Sequence, residues 1–316
     1  RGMQQGVKTL LAGLIDYAGL FPPASLSMAE ATEEFNRQRL GTEAFALGRF
    51  ICPTSRLDEL SEAAQALMPG TYATSGYREM AQPGMSEPWG ISAIIDTELG
   101  EAVARIDAFN ERHEVEDHGK AVVDSVELTA SSADEIDAAL DGVPAKLRPY
   151  FEISLEADAR GLIAALAGQD GVGAKVRCGG VTPEAIPEIE PLAAFITAAA
   201  TARVPFKATA GLHHPIRGEH ALTYEPDAPR AVMHGFVNVF LAAAMAMAGK
   251  ADEKTVQVIL RETDADAFRV TSTEASWRDV SITLGELADA RQRFSVCYGS
   301  CSFREPIEDL RALSWL

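Results

Sequence analysis

Cysteine, positive charge and long apolar runs are all scarce in this chain. Cys52, Cys178, Cys297 and Cys301 are the only cysteines among 316 residues, too few and too scattered for a disulfide framework. Cys297 and Cys301 lie close in sequence, but no second pair stands by to complete a zinc set. With 28 basic residues against 46 acidic ones, the net charge is −18. So acidic a surface repels nucleic acid and anionic membranes, and a small anionic partner fits only where the few basic groups converge. No run of about twenty apolar residues is present to span a bilayer. The early apolar stretch at 10–15 is cut by Asp16 before it reaches signal-peptide length. The cytoplasm is the expected location. No Ser/Pro/Gly tract divides the chain, and 47% hydrophobic with 23% charged residues is ordinary globular composition. A single domain over 1–316 is expected.

What recurs instead is a short apolar or alternating run, then a helix-start signal, then an amphipathic helix. The strand-like runs are 11–21, 49–53, 90–96, 122–129, 150–155, 173–178, 205–210 and 294–298, with a Gly/Pro/Ser-rich loop at 71–88. Ser27 with Glu30, Ser132 with Glu135 and Ser302 with Glu305 have the spacing of capping boxes. Thr182-Pro183 reads as the N-cap and first position of a helical turn. Eight strands alternating with helices predict an α/β fold, a (β/α)8 TIM barrel. An insertion over about 229–283 is expected between strands seven and eight, with a long helix at 229–249, a second helical stretch and a hairpin through 268–283. A competing reading makes 236–241 a strand and demotes 11–21. The long helix, rich in Ala and Met, reads as a core element or as the face of a homo-oligomer.

Alternate residues of a strand face the same way, and the face turned to the helices must be apolar. Strand four sorts into Val126 and Leu128 against Ser125, Glu127 and Thr129. Strand five sorts into Phe151 and Ile153 against Glu152 and Ser154. Strand six gives Ala174, Val176 and Cys178 against Lys175 and Arg177, and strand seven gives Phe206, Ala208 and Ala210 against Lys207 and Thr209. The polar sets therefore point into the barrel, where aliphatic layers are the norm. Unpaired charges there are very costly, and even paired ones contribute little stability. The arrangement reads as a site, with a buried salt-bridge network as the competing account.

Two neighbouring ammonium groups in a desolvated lumen lower each other's pKa. A neutral lysine can attack a carbonyl and form a Schiff base, an electron sink for carbon–carbon cleavage, with Glu127 or Glu152 shuttling protons. Gly299-Ser300-Cys301-Ser302 runs from the last strand into a helix N-terminus, where backbone N–H groups and hydroxyls suit a phosphate or carboxylate. Gly179, Gly180 and Gly211 allow close backbone approach at neighbouring mouths. Cys301, at that helix start, is expected to be exposed and either thiolate-stabilised or inert.

In order, Lys175-Val176-Arg177-Cys178-Gly179-Gly180, Lys207-Ala208-Thr209-Ala210-Gly211 and Gly299-Ser300-Cys301-Ser302 resemble the strand motifs K-T-S-T-G, K-A-S-G-G and G-T-S-S of deoxyribose-phosphate-aldolase-type class I aldolases. The resemblance covers strands four to eight. It implies Lys175 as the nucleophile, Lys207 as the neighbour that lowers its pKa, and Glu127 near the family's aspartate, with the two lysine roles reversible. Arg177 and the insertion depart from the family pattern. Ala18-Gly19-Leu20-Phe21-Pro22-Pro23 and Gly211-Leu212-His213-His214-Pro215 also resemble recurring words of a bacterial (β/α)8-barrel family.

The function so expected is a class I aldolase or related lyase, cofactor-free, acting on a small anionic oxo compound such as a phosphorylated one. Arg177, Thr209, the glycine loops, Asp16, His213 and His214 are its expected substrate contacts. One alternative is a divalent-metal-dependent lyase, with His213, His214, Asp16 and a glutamate as ligands. The other is a barrel that binds a ligand without catalysis.

Overall fold

The computed structural model describes residues 2–70 and 87–316. The Gly/Pro/Ser-rich loop expected at 71–88 falls, for all but its last two residues, outside the described residues. Eight parallel strands close into a barrel: β1 (Ile15–Tyr17), β2 (Leu47–Pro53), β3 (Trp89–Ile94), β4 (Ala121–Thr129), β5 (Arg148–Glu152), β6 (Gly173–Arg177), β7 (Phe206–Thr209) and, last in the chain, β13 (Ser295–Ser300). Around the barrel the order is β1-β13-β7-β6-β5-β4-β3-β2, so the first and last strands seal it. This is the TIM-barrel architecture. Among the described residues no helix is long and apolar enough to cross a membrane.

The N-terminal run differs from expectation. Residues Gly2–Leu11 form helix α1, and the strand is only three residues long. Gly13, at φ +57°, turns the chain between them. Apolar residues in both halves of 11–21 carry no period that separates helix from strand. Helices α2 (Met28–Arg39), α3 (Leu57–Ala64), α4 (Leu99–Glu114), α5 (Ala133–Gly142), α6 (Arg160–Leu166) and α7 (Ile189–Ala202) follow the next strands. Ser27 and Glu30 form a complete capping box on α2, while at α5 only the Ser132 half is made.

The segment between β7 and β13 divides differently from the expected insertion. A hairpin of β8 (Gly218–Ala221) and β9 (Arg230–Met233) comes first, so the start of the supposed long helix is a strand. Helix α8 (Phe236–Met247) follows, and its residues 236–245 are all buried. Phe240 packs its ring on Phe206 of β7 and Tyr298 of β13, which sets α8 in the barrel's own helix layer. Its apolar character is that of a core helix. Helix α9 (Glu253–Arg261) packs beside it, and the expected hairpin is a three-stranded sheet of β10 (Phe268–Val270), β11 (Glu274–Trp277) and β12 (Val280–Thr283). Helices α10 (Leu284–Arg293) and α11 (Arg304–Ala312) flank β13.

Register aligns the site. Glu152 pairs with Lys175, Lys175 with Lys207, and Lys207 with Cys297, so four lumen side chains stand abreast on β5, β6, β7 and β13. Tyr150 lies in the lumen beneath them, its ring 5.6 Å from Lys207 Nζ. Gly173 on β6 makes room for that ring, since a Cβ there would stand 2.6 Å from Tyr150 Cε1. Gly173→Ala should therefore cost about 1–3 kcal/mol by overpacking. Urea unfolding should show a lower midpoint with an unchanged m-value.

Candidate active site

A cavity of about 550 Å³ opens at the C-terminal ends of the barrel strands. Lys175, Glu127, Glu152 and Arg177 reach it from the lumen. Thr209, the glycines 179, 180, 211 and 299, and Ser300, Cys301 and His213 complete the part foreseen from sequence. Ile51, Ile94 and Phe21 also line it and were not foreseen; a single apolar residue at a strand end carries no functional signal. Lys207, Asp16, His214 and Ser302 do not border this cavity.

Beneath the cavity the charges form one alternating chain. Arg177 Nε donates to Glu152 Oε1 at 3.0 Å, and Lys175 Nζ lies 3.0 Å from Glu152 Oε2. The same ammonium is 3.0 Å from Glu127 Oε2, and Lys207 holds Oε1, the other oxygen of Glu127. Lys207 then reaches Asp16 Oδ2 at 2.9 Å. Asp16 is closed off by the Arg49 backbone N–H at 2.8 Å and by the Cys297 thiol at 3.3 Å. Ser92 Oγ donates to Glu127 Oε1 at 3.2 Å. Opposite charges alternate at every step.

The electrostatics follow from that order. Burial by itself would raise the Glu127 pKa, but the charges of Lys207 and Lys175 outweigh it and bring the carboxyl down to about 2. Burial also opposes the charge on Lys207, yet Asp16 and Glu127 hold its ammonium well above the ordinary lysine range. Desolvation, with Asp16 adding to it, pushes the Cys297 thiol up to about 12. The expectation that the neighbouring lysine depresses Lys207 is thus corrected. A carboxylate stands between them, and Lys207 remains a cation.

The loop after β13 is also turned inward. Ser300 Oγ donates to the Ser302 carbonyl at 2.7 Å, and Ser302 Oγ accepts the Glu305 N–H at 3.1 Å. The Ser300 hydroxyl is thus spent within the loop, which takes one donor from the expected anion cradle, and Ser302 does not border the cavity. Cys301 is buried, and burial raises its thiol pKa, so the expected exposure is corrected and, of the two readings, the stabilised thiolate is disfavoured. Gly179 and Gly211 serve each other. A Cβ on Gly211, at φ +73°, would come within 2.6 Å of the Gly179 Cα, so these two loops touch as one wall.

The metal-ligand set does not assemble. Asp16 is buried with Lys207, whereas His213 Nδ1 lies 3.1 Å from Glu305 Oε2 and His214 Nδ1 lies 2.6 Å from Asp309 Oδ2, both carboxylates on α11. Among the described residues no three His, Cys, Asp or Glu side chains are grouped to hold a metal ion. The adjacent histidines direct their Nδ1 atoms to different carboxylates, and His214 Nε2 also lies 3.7 Å from Glu305 Oε1. The Glu305 carboxylate, expected to complete a capping box with Ser302, instead receives His213 and the Tyr224 hydroxyl, the latter at 3.2 Å.

The chain matches no family model, no curated protein and no solved structure in the comparisons with known proteins. The reading of the site therefore rests on its own geometry.

Glu127→Gln removes the charge that two buried lysines share and should cost about 3–5 kcal/mol in urea unfolding. The pH dependence has a definite sign. The Glu127 carboxyl is depressed from 4.5 to about 2 on folding, so its stabilisation is present above about pH 4.5 and is lost as pH falls through about 2. Over that interval the wild type should lose more stability than Glu127→Gln, as followed by circular dichroism.

Proposed function

We propose that this barrel is a Schiff-base carbon–carbon lyase of the class I aldolase type, acting on a small anionic oxo compound. The observation that carries this reading is Lys175, whose Nζ sits at the floor of the cavity between two carboxylates while Lys207 lies buried beyond Glu127. Of the two lysines, only Lys175 meets a substrate. Lys175 gives up a proton, attacks the carbonyl carbon and expels water, leaving an iminium that withdraws electrons from the neighbouring bond. Glu152, in contact with Lys175 and at the cavity wall, is the carboxylate in position to take the first proton. Lys207 keeps its positive charge one carboxylate away and, with Lys175, holds Glu127 ionised. Arg177 spends only its Nε on Glu152 and leaves a half-exposed guanidinium beside the cavity, which favours an anionic substrate.

The alternative of a barrel that binds without chemistry is separated by one experiment. Sodium borohydride added with a panel of small aldehydes and keto acids should leave a reduced adduct on Lys175 and none on Lys207, read by peptide mass mapping. Lys175→Met should abolish the adduct. A panel that labels neither lysine sinks the Schiff-base reading and favours binding alone.

A further inference from the structure

We infer that His213, held by Glu305, is the base that moves the carbon-bound proton of a carbonyl substrate attached to Lys175, an assignment that rests on the Schiff-base reading above. When the enamine is made from the smaller carbonyl compound, in the condensation direction, some group must take that proton, and the lumen carboxylates are poor candidates. Glu127 is clamped by two lysines and brought down to about 2, too weak a base to draw a proton from carbon at neutral pH. Glu152 has one oxygen on Lys175 and the other on Arg177. A base held in no ion pair with lysine or arginine is needed, and His213 lines the same cavity as Lys175.

The tautomer follows from the partner. Burial would raise the Glu305 pKa, but the hydrogen bond from His213 leads the contacts that lower it, with the Tyr224 hydroxyl among them, so the carboxylate is ionised. An ionised carboxylate only accepts, so the 3.1 Å contact requires the proton on His213 Nδ1. In the neutral ring the lone pair is then on Nε2, as in other sites where a carboxylate orients an imidazole. Tyr224, from the connection between β8 and β9, donates to the same Oε2 of Glu305 that His213 contacts. In the step itself the C–H bond next to the iminium carbon breaks and its electron pair becomes C=C. The C=N pair moves onto the Lys175 nitrogen, and the proton goes to His213 Nε2. Reprotonation reverses each movement.

The test is proton exchange rather than turnover, because it needs no natural substrate. Acetaldehyde, acetone and pyruvate are incubated with the enzyme in D2O, and loss of the α-proton signal is followed by NMR. Borohydride trapping on Lys175 is measured in parallel. Wild type should both trap and exchange at least one of the three. His213→Ala should still trap it on Lys175, which also shows that the fold is intact, while exchange falls about 100-fold or more. Added imidazole should restore part of the lost rate. Glu305→Gln should lose about 10- to 100-fold, and Glu305→Asp less. Unchanged exchange in His213→Ala overturns this inference and leaves the Schiff base standing. Trapping in wild type without exchange above the buffer rate overturns it as well. No adduct on Lys175 overturns the function proposed above and this inference with it.

Discussion

The carboxylate of Glu127 is shared by two lysines, and every other charged group in the lumen takes its place from that contact. One oxygen receives Lys175 and the other Lys207, in a barrel interior where a lone ion would be very costly to bury. Each lysine therefore needs a further anion, and each has one: Glu152 for Lys175 and Asp16 for Lys207. Glu152 in turn takes Arg177. An apolar lumen of the same volume would be as stable or more so. What the ions provide is direction, because each side chain has one geometry in which both of its neighbours are satisfied.

The chain of charges also runs from dry to wet. Side-chain exposure rises from 1% at Asp16 and Lys207 through 2% at Glu127 and 7% at Lys175 to 19% at Glu152 and 51% at Arg177. Groups at the buried end are fixed in charge, as the strongly held Lys207 ammonium shows. Those at the open end have water or a ligand within reach. Lys175 lies at the change-over, paired like the interior groups but bordering the cavity. Two lysines side by side in register thus have different work, and depth alone separates them.

Most of this sector was legible in the sequence, for a physical reason. On strands six and seven each lumen residue is polar and each partner residue apolar, so the period of two leaves no choice of face for Lys175, Arg177, Lys207 or Thr209. Depth was not legible. Lys175 and Lys207 are equivalent in pattern, and only barrel geometry shows which one meets the cavity. Nor was the Glu127 bridge, whose partners come from two other strands. Ser302 and Glu305 have capping-box spacing, and local spacing cannot reveal that the carboxylate is drawn to His213 far away in the chain. The strand at Ile15–Tyr17 was hidden by apolar residues on both sides of it, and β9 by its run into the buried helix α8.

The same reasoning changes which groups select an anion. Glycine- and serine-rich loops look like anion cradles because their N–H groups and hydroxyls are small and close, but such groups bind a ligand only if they have no nearer partner. In the loop after β13 the serine hydroxyls already have partners, and the glycines of the β6 and β7 loops are needed for those loops to touch. On the proposed function, selection by charge falls to Arg177, which is half-exposed where Lys175 and Lys207 are buried. Its attachment to Glu152 links that selection to the lysine, since an anion that draws the guanidinium away also loosens one of the two carboxylates holding Lys175. On the proposed function, recognition of the substrate and release of the amine from its ion pairs are two ends of one hydrogen-bonded chain.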